Sequence, residues 1–586
     1  MNLSVADSQL RVPDSRDELG GKGFFLTRLV ERGFRVPPFR VVRAADLVDG
    51  RVPPALAARL VDELVAAAVE SGVDELAVGF AVRSSPAVSM PGMMDTLLGV
   101  GLTDRNVAAL SGRLGTESAA WQVVLGGVAN LCSHVAGCVP GNPSDAVDPV
   151  ADYRRLVALY EEHSGTNFPS SPAAQVRLAV EAVFASWDNA RAREYRRANG
   201  ISEHVATAVV VQVLAYGTGV GASGSGVVFS HDPLTGVAGL HGEYLRASTG
   251  ESLVSGTTTP LPISALRDDS WTAYDELAGV VTEMYEWQTV AVEVEFVVEN
   301  GTGWIVQLRP AVTTGQVRNT VTIAGWRTGL IGRQIALARL DIDALFGESP
   351  SVADPDRGRL LAIGVGASAG VATGRVVTTT EAALAGGGEP LVLLRPRTEP
   401  EDFLGMVSSV AVVTVEGGAG SHAAVVAREL GIPAVVGASF STAAPSAGAT
   451  VTVCGTTGRV WQGVVERLAG ATVEFPSDLF ADEAIEARIK PTLAAVLAVE
   501  PNAIVATATG APIPAATLVI TGERDAAERL AAAGHRVAFD CADAVTADLP
   551  DCFVEYVIAK PEARRGVGTV LAVRAAAKWA AKEIAR

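Results

Sequence analysis

The chain has 586 residues, of which 48% are apolar, and 47 Lys and Arg against 65 Asp and Glu leave a net charge of −18. That length exceeds a single hydrophobic core and predicts roughly three or four domains, with ample apolar material to bury. The acidic balance excludes nucleic acid and anionic membrane as partners, and with no spanning apolar run and no signal-peptide pattern at the N-terminus a cytoplasmic protein is expected.

The first 325 or so residues alternate Val-rich strands with helices and glycine turns, an α/β pattern. Leu19-Gly-Gly-Lys-Gly precedes an amphipathic helix from Phe24 to Arg32, so Lys22 is expected on a flexible turn near a helix start, where it can meet a nucleotide phosphate. It is not a Walker motif, because the Gly-x-x-x-x-Gly-Lys-Ser/Thr spacing is missing. Arg83 follows a short strand and can grip phosphate oxygens bidentately, ahead of the unusual run Met-Pro-Gly-Met-Met-Asp-Thr at 90–96. Cys132, His134 and Cys138 lie close together but lack a second ligand pair at zinc spacing, so no zinc is expected there. With Cys454, Cys541 and Cys552 the cysteines number five, an odd and sparse set that reads as reduced thiols.

Residues 148–205 read as amphipathic helices, and 205–216 resume as a buried strand. Gly217-Thr-Gly-Val-Gly-Ala-Ser-Gly-Ser-Gly then joins two strands, and its small residues would let backbone amides approach a polyphosphate. In Glu293-Val-Glu-Phe-Val-Val-Glu, the period of two puts Glu293 and Glu295 on one face. Such a pair facing a triphosphate repels it by roughly 4 kcal/mol per close charge pair at an effective dielectric near 20, a conflict that a bound Mg²⁺ removes. Gln307 and Arg309 share a face of the next strand.

A helical connector is expected from about Trp326 to Asp356, then a second unit of strands and glycine turns over 358–470. Near its centre lies Gly417-Gly-Ala-Gly-Ser-His-Ala-Ala-Val-Val-Ala-Arg-Glu-Leu-Gly-Ile-Pro. Ser421 caps a helix that Gly431 and Pro433 end, so His422 sits in the first helical turn. There the backbone amides and positive dipole end keep the imidazole neutral and favour an anion on it. Beyond a charged segment at 480–490, a strand at 517–522, a helix at 525–533 and a strand from Arg536 suggest a βαβ-like unit, closed by an amphipathic helix near 567–585.

The 82–101 segment, Val227-Val-Phe-Ser-His-Asp-Pro-Leu-Thr-Gly, Gly242-Glu-Tyr-Leu and the histidine string resemble, in this order along residues 15–470, the pyruvate, phosphate dikinase and PEP-utilising enzyme family, and the 90–96 run its phosphate-dependent branch. The resemblance implies an α/β multidomain protein: an ATP-grasp nucleotide-binding region over 1–325 with a helical insert about 148–205, the connector 326–357, a swivelling β/β/α phosphohistidine domain over 358–470, and a small α/β domain over 476–586. It implies His422, Arg309, Gln307 and Arg83 as catalytic residues. Lys22, Arg83, Asp95, Thr96, Gln212, Ser223, Gly224, Glu243 and Glu293 are implied for the nucleotide, and Glu295 and Gln307 for Mg²⁺. The implied reaction moves the β-phosphoryl of ATP to His422, releases AMP, and passes the phosphoryl to an acceptor, pyruvate or PEP through a separate subunit or another small molecule. Inorganic phosphate or pyrophosphate enters as a further partner, and a homodimer is compatible with this reading.

Two departures stand out. Residues 476–586 are too few for the (β/α)₈ barrel that binds pyruvate in full-length relatives, which takes about 250 residues, and Cys541 and Cys552 match no segment of it. Gly420 occupies a position where relatives commonly carry threonine, which in some is a regulatory phosphorylation target; that control is excluded here. Competing readings are a kinase of natural products or amino-acid amides using the same relay, a nucleotide-binding regulatory remnant, and an interaction role for the C-terminal segment. Retention of Arg83, Glu295, Gln307, Arg309 and His422 argues against the remnant.

Overall fold

The Val-rich segments form the strands that the alternation predicts. The computed structural model describes residues 15–88, 90, 92–141, 148–202, 207–219, 221–248, 260–341, 344, 352–354, 358–468, 504–505, 518–521 and 536–539. They fall into two compact units, Met1–Thr314 with Val352–Leu468, and Gly315–Ser351 with Ala469–Arg586.

In the first unit, β1 (Phe39–Arg43), β2 (Phe80–Pro86), β3 (Thr96–Val100) and β4 (Thr207–Val213) form an antiparallel sheet in the order β1-β4-β2-β3. Every residue of β4 is buried, as its place between β1 and β2 requires, with Thr207 and Gln212 the polar residues of an otherwise apolar strand. Helices α1 (Arg16–Glu31), α2 (Pro54–Glu70), α3 (Val107–Leu114), α4 (Glu117–Leu131), α5 (Pro149–Ser164), α6 (Pro172–Ala185) and α7 (Ala190–Ala198) accompany it. Thr116 and Ser171 cap α4 and α6. Leu64, Leu125 and Val180 from these helices share a core with Phe80, Val82 and Val211.

A second sheet holds β5 (Gly224–His231), β6 (Ala238–Arg246), β7 (Leu261–Pro262), β8 (Val292–Glu299) and β9 (Thr302–Pro310) in the order β7-β6-β5-β8-β9. Helix α1 touches β2 and β4 of the first sheet and β9 of the second. Its Phe25 and Leu29 pack with Val210, Val294 and Phe296, which locks the two sheets together. Lys22 lies near a helix start, as expected, but in the first turn after a break in α1 and not on a flexible turn. Helix α1 starts at Arg16, capped by Ser15, and kinks at Gly20, whose φ is 67°. A Cβ there would fall 1.5 Å from the Ser85 carbonyl oxygen, so the glycine serves a close approach between α1 and β2. Arg83 likewise sits inside β2 and not after a strand.

The same unit contains β10 (Val352–Ala353), β11 (Leu360–Ser368), β12 (Val371–Val377), β13 (Leu391–Arg395), β14 (Ala411–Thr414), β15 (Ala434–Phe440), β16 (Thr450–Cys454), β17 (Arg459–Gln462) and β18 (Arg467–Leu468). Seven of these strands close into a barrel, β11-β15-β14-β13-β12-β16-β17. Closure leaves no unpaired strand edge. Val392, Val413, Val435, Val451 and Val453 fill its core, and β10 pairs with β18 beside it. The helix His422–Leu430 lies between β14 and β15 in sequence and packs on β11, β14 and β15.

In the second unit the expected connector is two helices, Gly315–Arg327 and Arg333–Arg339, the first starting earlier than the sequence suggests. Asn319 ties this segment back on itself through paired bonds of 2.8 Å to the Asp341 backbone. Strands β19 (Ile504–Val505), β20 (Leu518–Thr521) and β21 (Arg536–Phe539) are parallel, as a βαβ crossover demands. The expected helices at 480–490, 525–533 and 567–585, with Cys541 and Cys552, lie outside the described residues.

Cys132, Cys138 and Cys454 are buried free thiols. The Cys138 Sγ donates to the Cys132 carbonyl at 3.3 Å and the Cys132 Sγ to the Leu156 carbonyl at 3.4 Å. Burial first, and then Cys138, pushes the Cys132 thiol up to about 12, which keeps it unreactive. No helix among the described residues is long and apolar enough to cross a membrane.

Candidate functional site

Strand register builds the first part of the site. On the β8–β9 ladder Glu293 faces Arg309 and Glu295 faces Gln307, so the two same-face pairs predicted from the sequence meet across one sheet. Arg309 Nε and Nη2 both donate to Glu293 Oε1, at 2.9 and 2.5 Å. Gln307 Nε2 donates to Glu295 Oε1 at 2.6 Å. Arg83 Nη2, reaching over from β2, donates at 2.9 Å to both Glu295 Oε2 and Gln307 Oε1, and its Nη1 to the Val306 carbonyl at 3.0 Å. The Lys22 ammonium donates to the Ser84 carbonyl at 2.8 Å. Burial, then the nearby Arg83, lowers the Lys22 pKa to about 7, with Glu295 pulling against them. Burial also opposes the charge on Arg309, but Glu293 outweighs it and the pKa rises.

The two glutamates are not equivalent. Glu293 is only 2% exposed and its Oε2 has no hydrogen-bond partner among the described residues, whereas the Glu295 side chain is 20% exposed. Among the described residues no three His, Cys, Asp or Glu side chains converge as a metal site. Glu295 and Gln307 do offer adjacent hard oxygen donors. That set fits Mg²⁺, which takes one or two protein oxygens and completes its shell with phosphate and water.

The remaining nucleotide residues suggested by the sequence are dispersed. The Asp95 carboxylate accepts from Arg191 Nη2 and lies 3.2 Å from His134 Nδ1. Burial works against its charge, yet His134 and Arg191 hold its pKa below the usual range. Thr96 is exposed at the start of β3. Gln212 is buried, its Nε2 3.4 Å from the Pro37 carbonyl. The Ser223 hydroxyl accepts from the Asn300 amide at 3.0 Å. Gly224 opens β5 where a Cβ would lie 2.3 Å from the Leu245 carbonyl, so it is small for strand packing. Glu243 on β6 turns to the histidine loop: its carboxylate oxygens accept from the Ala419 amide at 2.7 Å and the Gly420 amide at 3.2 Å.

The histidine helix follows the sequence closely. Ser421 is its N-cap, accepting from the Ala424 amide, and Gly431 ends it at a φ of 67°. The His422 Nδ1 is 3.2 Å from Thr398 Oγ1, and its buried Nε2 has no hydrogen-bond partner among the described residues. Its pKa falls to about 4, chiefly through burial, while Asp402 and Glu401 pull it up and Arg191 pushes it down. The neutral ring expected at the helix start is favoured chiefly by burial, which outweighs the pull of Asp402 and Glu401.

The enclosure comes from the methionine-rich run. A Cβ on Gly92 would stand 2.8 Å from His422 Cδ2 and 3.1 Å from Nε2, so only glycine lets this loop lie on the ring. Met90, Met93 and Met94 are buried in one apolar cluster with Ala423, Ala424 and Ala427 of the histidine helix. Arg191 braces the contact, donating from Nε to the Met93 carbonyl at 3.1 Å and from Nη1 to Glu401 at 2.8 Å, besides its bond to Asp95. A cleft beside His422 is lined by Arg397, Thr398, Thr414, Glu416, Ser421 and Ala423.

Sequence reasoning missed Thr398, Arg191 and Arg428. Arg428 is only 1% exposed. It donates to three carbonyls, Val312 at 2.9 Å, Ala367 at 3.1 Å and Ala419 at 2.9 Å, pinning the histidine loop to the barrel and to the chain leaving β9. Burial is the main cause that lowers its pKa to about 10. The one local signal was a lone arginine on the apolar stretch Ala423–Ala427.

Comparison with known proteins gives the family of two segments of the chain. Residues 44–285 match the family model for the pyruvate phosphate dikinase AMP/ATP-binding domain, and residues 387–458 that for the PEP-utilising enzyme mobile domain. The chain is 35% identical over 457 residues to chloroplastic pyruvate, phosphate dikinase 1 of Oryza sativa subsp. japonica, covering 72% of this chain and 48% of the relative. It is 32% identical over 503 residues to pyruvate, phosphate dikinase of Giardia intestinalis, covering 77% and 56%. Over 470 residues it is 32% identical to pyruvate, phosphate dikinase of Rhizobium meliloti (strain 1021), covering 72% and 52%. The chain spans about half the length of the curated relatives it matches. Over these two matched segments the chain carries the nucleotide-binding and mobile domains of the pyruvate, phosphate dikinase family.

Proposed function

We propose that this protein is an ATP-dependent phosphotransferase of the pyruvate, phosphate dikinase type, in which an ATP-grasp region loads His422 and the barrel swivels the charged histidine towards an acceptor. One observation carries the proposal: the His422 Nε2 is buried, neutral and unpartnered among the described residues, against the loop that follows the Arg83 strand. Thr398 holds Nδ1, so with Nδ1–H donating to Oγ1 the free lone pair is on Nε2.

Lys22, Arg83 and Arg309 supply the cations that a polyphosphate needs on an acidic protein, and Arg309 would offset charge on the transferring group. Glu295 and Gln307 would hold Mg²⁺, which when bound screens the phosphate oxygens from the carboxylates. To engage phosphate, Arg83 exchanges its bond to Glu295 for phosphate oxygens. Attack of Nε2 on the β-phosphorus breaks the bond from that phosphorus to the oxygen bridging it to the α-phosphate, and AMP leaves with that oxygen. The γ-phosphoryl then departs to inorganic phosphate, giving pyrophosphate, or to water, giving phosphate. The names of the relatives support pyruvate as the acceptor and phosphate as the co-substrate of this reading.

The test is incubation of the purified chain with Mg²⁺ and ATP labelled at the β-phosphorus. Acid-labile, base-stable label on the protein with release of AMP is expected, and none in His422→Ala. Absence of both label and AMP from the wild-type protein rejects the proposal, and pyruvate with phosphate added to prelabelled protein then tests the acceptor.

A further inference from the structure

The run Glu293-Val-Glu-Phe-Val-Val-Glu ends in a third glutamate, Glu299, which the phosphate chemistry proposed above does not use. A period of two puts it on the face of β8 that carries Glu293 and Glu295, opposite the core residues Val292, Val294, Phe296 and Val298. Its carboxylate does not stand open to a polyphosphate. Arg113 of α3 holds it bidentately, with Nε on Oε1 at 2.6 Å and Nη2 on Oε2 at 3.0 Å, and both side chains are largely shielded from solvent. Oε2 also accepts from the Tyr216 amide at 3.2 Å, and the Arg113 guanidinium lies 4.7 Å from the centre of the Tyr216 ring. Arg113 Nη2 further donates to the Leu214 carbonyl at 3.3 Å and Nη1 to the Ala77 carbonyl at 3.0 Å. The pair therefore fixes the chain where it leaves β4 for the glycine-rich segment that leads to β5.

The far end of that segment is held by the turn that follows Glu299. Asn300 turns the chain at a φ of 49°, its amide donates to the Ser223 hydroxyl at 3.0 Å, and the Gly301 amide donates to the Ala222 carbonyl at 2.7 Å. A Cβ on Gly219 would stand 3.0 Å from Asn300 Oδ1 and 3.1 Å from Ser223 Oγ, so Gly219 also lies against the turn. The Thr218 hydroxyl is buried without a hydrogen-bond partner among the described residues, a cost that a phosphate oxygen accepting from it removes. Glycines leave such a segment many conformations, and anchors at both ends exclude most of them before a ligand binds.

We propose that Glu299 and Arg113 are positioning residues for the polyphosphate, which pre-shape the glycine-rich segment into an amide cradle at the end of the strand that carries Glu295. The role rests on the reading of this region as a nucleotide site. The two charges neutralise each other within the pair, so neither side chain contacts the phosphates, and both act through the loop they hold.

The test measures binding of α,β-methylene ATP with Mg²⁺, and of adenosine, to the full chain as wild type, as Glu299→Gln and as the double variant Arg113→Met with Glu299→Leu. The double variant replaces the buried pair by apolar side chains of similar size, which preserves the fold. Its dissociation constant for the ATP analogue should rise about tenfold or more, while that for adenosine stays within about twofold. Hydrogen exchange at Tyr216 and across 217–224 should accelerate about tenfold, with β8, β9 and the barrel strands unchanged. Glu299→Gln keeps one acceptor for the Tyr216 amide and should fall between the other two proteins. Equal weakening of analogue and adenosine, or exchange raised throughout both sheets, would make the pair merely structural and overturn the proposal. Unchanged affinity for the analogue would overturn it as well. Should the wild-type chain bind the analogue and the variants behave as expected, yet His422 take up no label, the phosphotransferase reading falls and the positioning role stands. Should the wild-type chain not bind the analogue, both fall.

Discussion

Replacing Arg309 by methionine tests the reading of the β8–β9 face most directly. Glu293 is 2% exposed, one of its oxygens takes both Arg309 bonds, and the other has no partner among the described residues. Without Arg309 a buried carboxylate loses its neighbouring cation and both bonds. Breaking such a pair from one side costs about 3–5 kcal/mol. At about 1 °C per kcal/mol for a unit of this size, the melting temperature should fall by roughly 3–6 °C. The second substitution Glu293→Gln removes the stranded charge and should recover more than half of the loss. The sign with pH follows from the stranded carboxyl: its pKa rises in the folded Arg309→Met protein, so that protein gains stability relative to wild type as pH falls towards the carboxyl range. Scanning calorimetry of the full chain at neutral and mildly acidic pH reads all three effects. A shift under about 2 °C for Arg309→Met, or a double variant no more stable than it, would refute the buried-pair account.

Three further outcomes are expected. With the Lys22 pKa lowered to about 7, the free protein holds this amine largely neutral at pH 8; a bound polyphosphate favours the ammonium, so ATP binding should take up as much as about one proton. Titration calorimetry in buffers of different ionisation enthalpy measures it, and equal heats in all buffers, or an unchanged uptake in Lys22→Met, would reject it. His422, lowered to about 4, should leave the loading rate without an inflection near pH 6.5. Because the unfolded ring binds a proton up to about pH 6.5 and the folded ring does not, wild type should also gain stability relative to His422→Ala as pH rises from about 4 to 6.5, and an equal pH dependence of the two would contradict the buried neutral ring. Gly420→Thr should cost about 1–3 kcal/mol by overpacking against Val227, with Val227→Ala restoring part; denaturation of both variants decides this, and a neutral Gly420→Thr would show that the loop is not seated so closely.

Local spacing alone determined much of the candidate site. A serine and a glycine fixed both ends of the helix that starts at His422, and a period of two put Glu293 with Glu295 and Gln307 with Arg309. These relations hold within one element, where backbone geometry sets the neighbours. Lys22 went astray because a pair of glycines reads as a loop when the contact that needs one of them, the Ser85 carbonyl against Gly20, lies 65 positions away. The identity of the partners across elements was decided by tertiary structure: Glu243 on the Ala419 and Gly420 amides, Gly92 on the His422 ring, and Arg428 on three carbonyls from three segments. No sequence pattern encodes them, because long-range juxtaposition follows from the summed burial of whole elements and from register details such as the bulge after Glu295. The sequence therefore determined which residues could carry phosphate chemistry, and the seating of the Gly92 loop against the His422 ring decided that its Nε2 would be enclosed.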